Sequence, residues 1–223
     1  MPVRSGFDGV DLDYESFALG AAPADVDALA RGYVALVSEL ARCLHHERKT
    51  LEVTVVARVG ASPFSPGSSD MASGVFDYAS LGKVADVVRP MAYDYHYPGG
   101  PPGSVAPLGW VRAVAEYAAQ EVPRRKIDLA LPLYGEDWRT AKATASPVTA
   151  ARAPNLVAAT KAAPIFDDAT KSSTFDYVKD GEVHHVWFDD TRATEWRIGV
   201  ARSLGLRGVS FWALGYESPD LWH

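Results

Sequence analysis

Three carboxylates at every second position stand near the start of the chain: Asp11, Asp13 and Glu15, in the run Asp8-Gly9-Val10-Asp11-Leu12-Asp13-Tyr14-Glu15. Strand side chains alternate between faces at about 3.3 Å per residue. The spacing therefore predicts one face carrying Asp11, Asp13 and Glu15 and the other carrying Val10, Leu12 and Tyr14. An apolar outer face needs covering, so the strand is expected to be sheltered rather than a solvated acidic edge. Acids crowded on a sheltered strand raise one another's pKa through like charge and desolvation. Such a row is costly for stability and suited to donating a proton, which is general acid catalysis. Asp8 has the opposite parity and is assigned to the strand entrance.

The elements that must hold this row follow along the chain. Residues 25–46 place Val26, Leu29, Tyr33, Leu36, Val37, Leu40 and Leu44 at helical spacing, after Pro23. Residues 50–57 are rich in β-branched residues and predict a strand. A Gly/Pro/Ser-rich loop spans 60–74, a short helix 77–83, and an apolar strand, expected to be buried on both faces, 86–93. The Pro/Gly segment 98–103 is a loop, 108–122 a helix, 126–134 a strand, 192–204 a helix and 207–214 a strand. Strand–helix alternation implies a parallel sheet with right-handed crossovers. The stretch 136–190 interrupts it, with a helix expected over 148–162. There 174–178 and 184–188 predict a hairpin across Asp180-Gly181.

The chain has 223 residues, 48% of them apolar, and a formal charge of −6. That length suits a single domain with a sizeable core. No apolar run approaches the roughly 20 residues that cross a bilayer. The charge gives no reason to expect nucleic acid or an anionic membrane as partner. Cys43, the only cysteine, is expected to pack on an apolar helix face. His45-His46 and His184-His185 are adjacent pairs, read as surface or hairpin residues, and no metal or cofactor is expected. Met1-Pro2-Val3-Arg4-Ser5 is too short and polar for a signal peptide.

Residues 8–15 resemble the Asp-Gly-x-Asp-x-Asp-x-Glu signature of glycoside hydrolase family 18, the chitinase-like enzymes. Met91-Ala92-Tyr93-Asp94 is similar to that family's sixth-strand motif, Leu131-Pro132-Leu133-Tyr134-Gly135 to its seventh strand, and Gly208-Val209-Ser210-Phe211-Trp212 to its eighth. The resemblance implies an α/β fold, a (β/α)8 TIM barrel. Five strands are counted where a closed barrel needs eight, so the barrel is expected to be N-terminally incomplete, holding the equivalents of strands 4–8. One catalytic domain, 1–223, would contain a small α+β insertion subdomain at 136–190 after the seventh strand.

The resemblance also implies roles. Glu15 is the acid and later the base. Asp13 holds the substrate's 2-acetamido group, Asp11 shares a proton with Asp13, and Tyr93 donates its hydroxyl to the acetamide carbonyl. Asp94, Trp212 and Tyr134 bind sugar, and His96 is close enough in sequence to touch it. The implied reaction is retaining, substrate-assisted hydrolysis next to N-acetylglucosamine in chitin- or peptidoglycan-like chains. The implied location is secreted or at the cell envelope. Two other readings share these motifs: a non-catalytic, lectin-like carbohydrate-binding protein, and an inactive truncated fragment with its acids on an open sheet edge. Endo or exo action and the oligomeric state have no signal in the sequence.

Overall fold

A computed structural model describes residues 6–62, 64–65, 71–139 and 144–222. The signal-peptide reading of residues 1–5 lies outside the described residues, as do the middle of the 60–74 loop and positions 140–143 of the interrupting stretch. The elements run β1 (Gly9–Asp13), α1 (Val26–His46), β2 (Thr50–Val56), α2 (Tyr78–Val84), β3 (Val87–Met91), α3 (Leu108–Glu121) and β4 (Asp128–Pro132). There follow β5 (Tyr134–Arg139), β6 (Thr144–Thr149), α4 (Ala153–Thr160), β7 (Ile165–Asp167), β8 (Ser172–Lys179) and β9 (Glu182–Phe188). Then α5 (Thr191–Leu204) leads to β10 (Gly208–Trp212). Among the described residues two sheets form, in the orders β1-β2-β3-β4-β10 and β6-β5-β9-β8-β7. The chain divides into two compact units. The first is Met1–Met91, Ala113–Leu129 and Ala201–Gly208, the second Ala92–Arg112, Ala130–Val200 and Val209–His223.

In the first unit, β1, β2 and β3 are parallel, with Asp13 in register with Thr54 and Thr54 with Arg89. One face of these strands meets the helices. Leu51, Val53 and Val55 of β2 are fully buried with Tyr33, Val37 and Leu44 of α1, and Val10 and Leu12 pack against that core. Each such Val or Leu side chain contributes about 1.5–3 kcal/mol when fully buried. Phe17, Tyr33 and Phe76 pack ring to ring at 5.0–5.7 Å. The buried stripe of α1 is Val26, Tyr33, Val37, Ala41 and Leu44. Cys43 falls off it and is exposed beside Glu39 and Arg42, contrary to the expected packing role. Leu36 is also exposed.

In the second unit, β5, β6, β7, β8 and β9 pair antiparallel. The expected hairpin is present. Asp180 and Gly181 both have positive φ, 52° and 77°, as a two-residue primed turn requires. The strand expected over 126–134 is two strands, because β4 ends at Pro132 and β5 starts the other sheet at Tyr134. Gly135 is obligatory there, since a Cβ would run into the Trp187 carbonyl of β9. The expected helix over 148–162 is shorter. Pro154 fits only a first helical turn, so α4 starts at Ala153 and Val148 stays in β6. Val148, Ala153, Phe175, Val186 and Phe188 form the core between this sheet and α4. No helix among the described residues is long and apolar enough to cross a membrane.

A buried arginine ties the second unit together. Arg197 of α5 is fully buried and donates to the carbonyls of Ala106, Lys171 and Ala193 at 2.6–3.0 Å. It also donates to Ser172 Oγ and pairs with the equally buried Asp189 at 3.0 Å. Removing one partner of such a pair leaves a buried charge uncompensated. Arg197→Met is therefore expected to destabilise the protein by about 3–5 kcal/mol in urea unfolding, whereas removing the exposed Arg42–Glu39 pair is expected to leave the unfolding midpoint unchanged.

Candidate active site

The acidic strand is placed by β1, which among the described residues has a strand neighbour on one side only, β2. Asp11 and Asp13 share the face that carries Thr54 and Arg89, while Val10 and Leu12 turn to the core, as the alternation predicts. Two expectations fail here. Asp11 and Asp13 are exposed rather than sheltered, because an edge strand lacks cover on its outer side. Tyr14 is 46% exposed and leans on Phe17 at 5.2 Å instead of lying under helices. Glu15 lies beyond the strand, which ends at Asp13. Its position is set by the 3-10 turn Ser16–Ala18, whose Ala18 N–H donates to the Glu15 carbonyl at 2.8 Å. Glu15 is half-buried.

Asp11 is held on two sides. Thr54 Oγ1 donates to its two carboxylate oxygens at 3.0 and 3.2 Å, and Arg89 Nη1 donates at 2.5 Å. The other Arg89 amine, Nη2, reaches Glu52 and, at 3.2 Å, Asp128. Arg207 approaches Asp128 at 3.4 Å. Burial raises the pKa of Asp13, the Asp11 charge raises it further, and Arg89 opposes both. The Tyr33 hydroxyl is buried without a hydrogen-bond partner. Its pKa is pushed up by burial and then by the charges of Asp13 and Asp11.

In the second unit Tyr93 and Asp94 lie just past β3, not within it. Asp94 has a left-handed backbone, φ 62°, uncommon outside glycine. The Tyr134 hydroxyl donates to its carboxylate, and Tyr134 meets Tyr93 edge to face at 6.3 Å. Asp94 is exposed as a residue, yet the atoms around its carboxyl shield it from water and raise its pKa, with the Tyr134 hydrogen bond opposing. Tyr134 itself is buried. Trp212 ends β10, 52% exposed, with a cis peptide bond to Ala213. His96 Nδ1 donates to the Pro101 carbonyl, 3.0 Å away, and its ring fills the space where a Cβ on residue 103 would sit.

Sequence reading missed three residues of these clusters. Thr54 and Arg89 share the acid row's face, and an arginine inside the otherwise apolar Val87–Met91 run was the available signal. That strand is not wholly apolar as expected. Glu136 follows Tyr134 by two along β5 and so shares its face. It is 5% exposed, and its Oε2 is buried with no hydrogen-bond partner. His184, read as a surface or hairpin residue, lies in the hairpin strand β9 and is buried. Its Nδ1 meets Asp137 at 2.7 Å, and its ring stacks on Tyr177.

Burial, then the charges of Asp94 and Asp137, raise the Glu136 pKa from 4.5 to about 7. Between those values the folded chain binds more protons than the unfolded chain. The stabilisation is thus complete at low pH and is lost as pH rises toward about 7. Thermal unfolding midpoints are expected to fall from about pH 5 to about pH 8, and Glu136→Gln is expected to flatten that fall. An unchanged slope in the variant would contradict this.

Comparison with known proteins gives a consistent picture. Residues 3–217 match the model of glycosyl hydrolases family 18. The chain is 34% identical over 224 residues to a cortical fragment-lytic enzyme of Bacillus subtilis (strain 168), covering 98% of this chain and 49% of that protein. Among solved structures, a chitinase from Chromobacterium violaceum superposes with a TM-score of 0.83 at 30% identity, over 97% of this chain and 64% of that one. The Bacillus megaterium spore cortex-lytic enzyme SleL gives 0.81 at 30% identity, over 97% and 48%. The chain thus spans about half the length of the first of these relatives. On this match the chain belongs to glycosyl hydrolases family 18 and has a TIM-barrel-like α/β fold.

Proposed function

We propose that the chain is catalytic sequence of a retaining glycoside hydrolase that cleaves β-1,4 bonds next to N-acetylglucosamine. The observation that carries this is the complete set Asp11, Asp13 and Glu15, with Glu15 two residues past the strand's carboxyl end, in a chain matching family 18 over residues 3–217. Catalytic side chains of TIM-barrel enzymes emerge at that end of their strands. The five-stranded sheet corresponds in this reading to barrel strands 4–8 of a single domain, 1–223, and 136–190 is an insertion subdomain within it.

Glu15 gives its proton to the leaving glycosidic oxygen as the carbonyl oxygen of the sugar's own acetamide bonds to the anomeric carbon. The C1–O bond breaks and an oxazolinium forms. Glu15, now a carboxylate, takes a proton from water as that water bonds to the same carbon and the acetamide is released, so configuration is retained. Asp13 accepts the acetamide N–H and offsets the positive charge of the intermediate, with Asp11 behind it. Tyr93 donates to the acetamide carbonyl, Asp94 and Tyr134 bind sugar hydroxyls, and Trp212 stacks on the pyranose. The names of the Bacillus relatives favour peptidoglycan over chitin, and action outside the cell or at its envelope.

A proton-donating group typically contributes about 10²- to 10⁴-fold. Glu15→Gln is expected to lower hydrolysis of a chitotriose or muropeptide reporter by at least that factor while sugar binding persists. Rates near the parent's would exclude Glu15 as the acid, and binding without turnover in the parent would favour the lectin-like reading. Reporters lacking the 2-acetamido group are expected to remain uncleaved, and rapid hydrolysis of a plain glucoside would rule out substrate assistance.

A further inference from the structure

We propose that Arg89 is a positioning residue for the acidic strand: by clamping the Asp11 carboxylate against Thr54, it confines the exchangeable proton of the row to Asp13. The inference rests on the reading of this row as catalytic, and it replaces the proton sharing between Asp11 and Asp13 that family resemblance implied.

The geometry is asymmetric. Asp11 takes a charged donor at 2.5 Å and a hydroxyl at 3.0 Å, both of which bond an ionised carboxylate. Asp13 stands in register with Thr54 and Arg89, but neither hydrogen bond is made to it. Arg89 is anchored at its far side by Glu52 and Asp128, and its side chain is only 15% exposed. Asp11, Glu52 and Asp128 bond it, Asp13 is near enough to feel its charge, Arg207 stands at the margin, and the buried Tyr33 hydroxyl of α1 feels the charges of Asp13 and Asp11. Moving a proton onto Asp11 would break a charge-assisted bond in this network. Moving it onto Asp13 breaks none of them. A proton resident on Asp13, which is exposed, must pass to water before Asp13 can counter the charge of an oxazolinium. Arg89 would thus set the pH below which the reaction fails.

Carboxyl-carbon NMR titration of the unaltered protein is the direct test. The expected result is proton uptake at Asp13 with Asp11 remaining ionised, and a joint two-step titration of the pair would overturn the proposal. In Arg89→Met the acidic limb of the kcat/KM profile is expected to move up by about one pH unit, since an adjacent cation commonly lowers a carboxyl pKa by one to three. Arg89→Lys keeps the charge and is expected to move it by less. An unmoved limb in a folded Arg89→Met protein would also overturn the proposal. If Arg89→Met does not fold, the titration of the unaltered protein decides alone. Absence of hydrolysis by the parent chain would sink the enzymatic reading, yet the titration would still judge the clamp.

Discussion

A guanidinium among carboxylates is the constraint on which the first unit depends. Asp11, Glu52 and Asp128 all bond Arg89 from one face of a parallel sheet. Without a cation, three acids so close would repel and would each carry a desolvation penalty. The pairing lets β1, β2 and β3 lie in register while their other face supplies Val10, Leu12, Val53 and Val55 to the helices. Charge is partly offset on one face and water excluded on the other. The acidic strand is tolerated because both conditions hold.

Much of this was legible in the residues. Period-two alternation placed Asp11 and Asp13 opposite Val10 and Leu12, and helical spacing found α1 to within a residue. The primed turn at Asp180-Gly181 followed from its dipeptide. What escaped was set by tertiary context. Alternation cannot say whether a strand has neighbours on both sides, so the exposure of Asp11 and Asp13 was invisible to it. Glu15 was extrapolated along a strand that stops two residues earlier. The hydrogen-bonding partners of Asp11 lie 43 and 78 positions away, at Thr54 and Arg89, and no local pattern joins them.

The break at Leu133 shows how little sequence separates two sheets. Pro132 ends β4, Leu133 gives its N–H to the Trp212 carbonyl, and its own carbonyl accepts from Ala150. One residue thus bonds to two distant segments, and β5 then pairs with β6 and β9 instead. A continuous apolar run concealed that exchange. The alternation Tyr134, Glu136, Trp138 within β5 was a signal of its own, because it starts only after the proline.

The two acidic clusters handle their charge by opposite means. Around Arg89 a single guanidinium bonds Asp11, Glu52 and Asp128. Around Glu136 the described residues offer no such cation. Asp94 has the Tyr134 hydroxyl, Asp137 has Tyr177 and His184, and Glu136 Oε2 has no partner. A carboxyl group buried in that setting lowers its energy by keeping its proton, which removes the charge instead of pairing it. In the proposed reaction a neutral Glu136 would leave the Asp94 carboxylate as the principal acceptor for sugar hydroxyls on that cluster. Replacing Glu136 by an always-charged partner of Asp94 would then disturb substrate contacts more than replacing it by glutamine, which keeps both shape and neutrality.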